Sequence, residues 1–117
     1  MSTQVTVDLP DDVYQKIEKE AVLSKLRDLK SELEKRYQIT TIGIFGSVVR
    51  DEATEESDID IVVEMQPDML KRIGLKNELE TLFSRKVDVV RYRQHMNPYL
   101  KSQIDQEAIY AFRNDLI

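Results

Sequence analysis

Three aspartates and one Gly-Ser pair carry the chemistry open to this 117-residue chain. Asp58 and Asp60 stand two apart at the head of the run Asp58-Ile59-Asp60-Ile61-Val62-Val63-Glu64. The run predicts a β-strand over Asp58 to Glu64. Side chains alternate across a strand, so both carboxylates share one face and Ile59 and Ile61 the other. Two carboxylates on one face repel and lose hydration unless something positive lies between them. A hard divalent cation answers both costs, because carboxylate oxygens suit magnesium. Asp88 is a third acid, set inside the apolar run Lys86-Val87-Asp88-Val89-Val90. If that run pairs beside the Asp58 strand, three carboxylates converge at one point.

Gly46-Ser47 ends a second apolar run, Thr41-Ile42-Gly43-Ile44-Phe45, which also reads as a short strand. A glycine here lets the backbone turn sharply and lets a ligand come close. Ser47 is a good N-cap for a short helix over Val48 to Glu52, where its hydroxyl and the free N–H groups can hold an anion. Ser47 can serve as cap, as anion ligand, or as both. Arg50 can contact phosphate or pair with a glutamate. His95, the only histidine, has no neighbouring motif that would make it a base and reads as a surface loop residue. Arg91 and Arg93 follow Asp88 closely and read as a solvated face.

Gly-Ser, ten residues, Asp-x-Asp, and a later lone Asp in an apolar run together resemble the polymerase-β-type nucleotidyltransferase superfamily. The short chain resembles its minimal nucleotidyltransferase (MNT) branch. The likeness covers roughly Leu26 to Ile109 and is densest from Gly46 to Glu64. It implies that Gly46 and Ser47 hold the triphosphate of ATP, with Arg50 beside them, and that Asp58, Asp60 and Asp88 bind two magnesium ions. It also implies a partner. Members of this branch act as antitoxins to HEPN-domain ribonuclease toxins, so the resemblance implies a type VII-like pair. In it, AMP passes from ATP to a tyrosine hydroxyl of the toxin, within a hetero-oligomer. Where the family often has Ala-Arg-Gly, this chain has Val49-Arg50-Asp51, so Asp51 replaces a flexible glycine beside the phosphate site.

Bulk properties bound the alternatives. The chain has 17 Lys and Arg against 22 Asp and Glu, a net charge of -5, and pI near 4.9. That argues against a general nucleic-acid binder, which needs a basic surface, and favours a basic protein partner. With 41% hydrophobic and 33% charged residues the composition suits one globular domain with a modest core. Cysteine is absent, so disulfides and thiol chemistry are excluded. The start Met1-Ser2-Thr3-Gln4 is polar and no apolar run is membrane-long. No membrane association and a cytoplasmic location are the expectations. Two rival functions remain: an antitoxin that acts by binding alone, and a DNA-binding autorepressor working through the N-terminus.

The elements that must position these residues follow in order. Gln4 to Leu9 alternates polar and apolar, a strand signal, and Pro10-Asp11-Asp12 starts a helix carrying Val13, Ile17 and Ala21. Residues 1–21 are thus expected to form an N-terminal strand-helix arm, loosely similar to ribbon-helix-helix segments. The resemblance implies a minimal nucleotidyltransferase domain over residues 22–117. Val22, Leu26, Leu29, Leu33 and Tyr37 make a helical stripe, either continuous with the first helix or broken near Ser24. Pro67-Asp68 opens a helix to about Phe83, with Met69, Leu70, Ile73, Leu75, Leu79, Leu82 and Phe83 as its buried side. Asn97-Pro98 opens a last helix through Ile104, Ile109 and Phe112. The expected fold is α/β: a minimal nucleotidyltransferase palm, with a small mixed sheet packed by helices.

Overall fold

The computed structural model describes residues 18–54 and 56–113. The expected strand over Gln4 to Leu9 and the helix start at Pro10 lie outside these residues. Helices α1 (Lys19–Asp28) and α2 (Lys30–Tyr37) carry the predicted stripe, with Val22, Leu26 and Leu33 buried. They break at Leu29, and Ser24 lies within α1. Leu29 has φ -94° and ψ 8°, and its N–H donates to the Leu26 carbonyl. That single tight turn redirects the chain while Leu29 stays against the core.

Strand β1 (Thr41–Phe45) follows, then a 3₁₀ turn over Gly46–Val48, strand β2 (Ile59–Glu64) and helix α3 (Met69–Phe83). Strand β3 (Val87–Arg91), helix α4 (Pro98–Glu107) and strand β4 (Ile109–Arg113) complete the described chain. The sheet order is β3-β2-β1-β4. β1 is antiparallel to β2 and β4, whereas β3 is parallel to β2, with α3 as the crossover. The expected mixed sheet is borne out.

Two expectations need correction. The last helix stops at Glu107, and Ile109 to Arg113 form an edge strand on β1. Helical spacing and strand alternation coincide there, because apolar residues point both ways. On α3, Leu75 and Leu79 are fully buried, but Met69, Leu70 and Ile73 are 70%, 81% and 50% exposed. At 100° per residue these three lie roughly 120–160° around the helix from Leu75, off the stripe that Leu79 and Leu82 continue.

Helices α1, α2 and α3 cover one sheet face, where Ile42, Ile44, Ile59, Ile61 and Val63 meet Leu23, Leu26, Leu33, Leu75 and Leu79. Each such side chain contributes about 1.5–3 kcal/mol when fully buried. Helix α4 covers the other face through Ile104, packed with Phe45 and Val62. β1 is therefore buried on both sides, which explains its unbroken apolar run. A Cβ on Gly43 would lie 2.7 Å from the Ile109 carbonyl, at the point where the β1–β4 register shifts. None of the described helices is long and apolar enough to cross a membrane.

Candidate active site

The acids gather at one end of the sheet, on the α4 side. β1 ends at Phe45, whose register partner on β2 is Asp60. Asp60 is in turn the register partner of Asp88 on the parallel strand β3. Asp58 precedes Asp60 by two residues and adds to the repulsion that Asp60 feels. Strand pairing thus sets Asp60 beside Asp88 and brings Asp58 to the same end of the sheet. Asp58 and Asp88 are exposed, while Asp60 is only partly so.

Burial, then the charges of Asp88 and Asp58, push the Asp60 carboxyl up to about 6; Arg50 opposes this. Among the described residues, no three acids or histidines stand close enough to enclose an ion as the side chains are placed. The three aspartates nevertheless fit a hard cation in donor chemistry and electrostatics. All are oxygen donors, and their mutual repulsion is what a divalent ion would relieve.

The turn after β1 presses against Asp60. Gly46 has φ +80°, and a Cβ there would lie 2.2 Å from Asp60 Oδ2. Only glycine fits both the conformation and the space. The expected helix over Val48 to Glu52 is instead a 3₁₀ turn that starts at Gly46, and no side chain caps it. Ser47 therefore lies inside the turn; its carbonyl accepts from the Glu52 N–H at 2.9 Å. Asp51 has φ +63°, so the position where the family often carries glycine is left-handed here. Aspartate is among the few residues that tolerate that region.

Glu107, the last residue of α4, is a participant that sequence reasoning missed. Its Oε2 accepts from the Gly46 N–H at 2.6 Å, and both its oxygens accept from Arg50 Nη1 at 3.1 Å. Gln103 Nε2 donates to Oε2 at 3.0 Å. Desolvation pushes the Glu107 carboxyl up, but the bonds from Gln103, Gly46 and Arg50 outweigh it and hold it below its ordinary value. Arg50 also donates from Nε to Glu52 at 3.0 Å. No motif marks Glu107 in the sequence, because its partners Gly46 and Arg50 lie far away along the chain.

A second residue that sequence reasoning missed is Arg85. Its Nη1 donates to the carbonyls of Thr54 and Ser57, at 2.7 and 2.8 Å, and pins the loop that delivers Asp58. Glu56, Ser57, Asp58, Ser84, Arg85 and Lys86 line a cleft of about 410 Å³ beside the aspartates. His95 is exposed, as expected of a loop residue.

A small mixed sheet, helices on both faces and a Gly-Ser turn at the end of an inner strand make the minimal nucleotidyltransferase fold. The family model described as polymerase beta, nucleotidyltransferase matches residues 27–116, and the chain belongs to that family of nucleotide-transferring enzymes. It is 44% identical over 94 residues to the protein adenylyltransferase MntA of Thermococcus cleftensis, covering 79% of this chain and 94% of that one. A solved structure of a candidate minimal nucleotidyltransferase superposes with TM-score 0.65 at 32% identity, over 80% of this chain and 95% of the other. The MNT antitoxin complex with a tri-AMPylated HEPN toxin from Shewanella oneidensis superposes with TM-score 0.60 at 22% identity. There the match covers 81% of this chain and 72% of that one, and shows the shared fold.

Proposed function

We propose that this chain is an AMPylating antitoxin that transfers AMP from ATP to a tyrosine hydroxyl of a HEPN-type ribonuclease. The observation that carries the reading is the pairing of Asp60 with Asp88 beside the Gly46 turn, in a chain similar to a protein adenylyltransferase named MntA. The solved neighbour containing an AMPylated HEPN toxin supports the acceptor class.

In this reading Asp58, Asp60 and Asp88 hold magnesium. Bound there, magnesium neutralises the triphosphate and the charge that develops during transfer. Gly46, Ser47 and Arg50 grip the outer phosphates. The wall of the Gly46 turn and the strand end fix the α-phosphorus against the acceptor, and such alignment supplies much of the rate in nucleotidyl transfer. The tyrosine oxygen forms a bond to the α-phosphorus as the bond to the β-phosphate oxygen breaks. Pyrophosphate leaves, and the phenolic proton passes to water. The net charge of -5 favours docking on a basic ribonuclease. AMP left on the toxin repels RNA phosphates.

The test is to incubate the purified chain with its HEPN-type partner, ATP and magnesium, then weigh the partner intact. A mass gain of one or more AMP units, absent with Asp60→Asn, is expected. An unchanged mass, with inhibition that ends once the two proteins are separated, would leave an antitoxin that acts by binding alone.

A further inference from the structure

We propose that Glu107 is an internal stand-in for a nucleotide phosphate, which ATP must displace from Gly46 and Arg50 in order to bind. The inference rests on the nucleotide reading of the Gly46 turn and assigns a role at that site to a residue outside the Gly-Ser and aspartate set.

The geometry is that of an anion in a donor cradle. One carboxylate takes the Gly46 N–H at 2.6 Å, the Arg50 guanidinium at 3.1 Å and the Gln103 amide at 3.0 Å. A backbone N–H and a guanidinium are the donors that phosphoryl oxygens also prefer. Glu107 ends a ten-residue helix, where the macrodipole disfavours negative charge. Helix stability therefore does not explain a carboxylate here; the contact across to Gly46 and Arg50 does. The carboxylate also adds to the repulsion on Asp60, so the site holds an anion that works against its own acids.

A triphosphate and Glu107 cannot both take the Gly46 N–H. Displacement requires the Glu107 side chain, 19% exposed, to turn toward solvent, while buried Ile104 keeps α4 anchored. Displacement carries a cost that only a ligand with strong phosphate contacts repays. Glu107 thereby raises the preference for triphosphate over ligands with few or no phosphates.

The experiment is calorimetric titration of wild type and Glu107→Gln with a non-hydrolysable ATP analogue plus magnesium, and with adenosine. Glutamine keeps the shape and an acceptor oxygen but removes the competing charge. The analogue should bind Glu107→Gln on the order of tenfold more tightly, the scale of one charge-assisted hydrogen bond. Adenosine binding should be unchanged. A structural prop would give the opposite sign, because its loss loosens the turn and weakens binding. Gln103→Ala is the second arm: it removes one donor from Glu107 and should tighten analogue binding in the same direction, by less. If wild type binds the analogue and both variants bind it equally or more weakly, the proposal is overturned while the nucleotide reading stands. If none of the three proteins binds the analogue, the nucleotide reading falls and takes the proposal with it.

Discussion

Asp60 sits half-buried between two other acids, and its carboxyl is pushed up to about 6 from an ordinary 3.8. Protonation is therefore easier in the folded state than in the unfolded one. The stabilising contribution is fully present below about pH 3.8 and is lost as pH rises through about 6. At neutral pH the ionised group is a liability of a few kcal/mol at most, since each tenfold change in proton affinity is worth about 1.4 kcal/mol. Solvent on the open side of the site screens part of it. Asp60→Asn removes the charge and keeps the shape. It should raise the melting temperature at pH 7.5 by several degrees in metal-free buffer and flatten its dependence on pH between 4 and 7, while abolishing transfer. Thermal melts of both proteins across that range check this; an Asp60→Asn protein that melts lower at pH 7.5 would contradict it. The spacing of Gly46, Asp58 and Asp60 made this site legible in the sequence, because strand alternation places side chains without knowledge of the tertiary fold. Asp88 was legible only as an acid out of place, and its partner appeared once the parallel register was known. Glu107 was not legible, since its contact with Gly46 spans 61 residues of chain.

At the scale of the element, the turn from Gly46 to Glu52 joins the β1 end to the loop that delivers Asp58. It is closed by backbone bonds from Arg50, Asp51 and Glu52 to Gly46, Val48 and Ser47. Asp51 supplies its left-handed residue, at φ +63°. Glycine adopts that conformation without steric cost, so Asp51→Gly should leave stability within about 1 kcal/mol of wild type. A β-branched side chain is penalised there, and Asp51→Val should cost on the order of 1–3 kcal/mol. Chemical denaturation of the two variants settles the sign; equal stabilities would show that the loop relaxes and that φ is not held. The need for a glycine-like residue was visible in the departure from the family pattern, but the conformation itself was not. The same limit hid β4. Ile109, Tyr110, Ala111 and Phe112 satisfy a helical and a strand pattern equally, and pairing with β1 decides between them. On helix α3 the apolar residues spread around the axis, so that Met69, Leu70 and Ile73 face outward while Leu75 and Leu79 are buried.

For the whole molecule, the sheet brings like charges together at one end, and a bound cation should convert that repulsion into stability. Magnesium held by these acids would favour their ionised forms, draw the Asp60 carboxyl back down and so favour the folded chain over the unfolded one. At about one hundred times the dissociation constant, such a ligand adds on the order of 2.7 kcal/mol. The sign of the pH effect should then change. Without magnesium the Asp60 contribution should lower the melting temperature as pH rises through about 6. With saturating magnesium and an ATP analogue it should hold level or rise over the same interval, because the ionised acids bind best. Removing the metal with a chelator should restore the fall. Asp88→Asn should shrink the magnesium-induced shift although Asp88 lies on another strand from Asp60, since the register makes the two acids one charge cluster. Melts of wild type and Asp88→Asn at pH 5 and 7.5, with and without magnesium, measure all of this. A magnesium shift of the same size in both proteins would separate Asp88 from the metal and leave Asp58 and Asp60 to hold it alone.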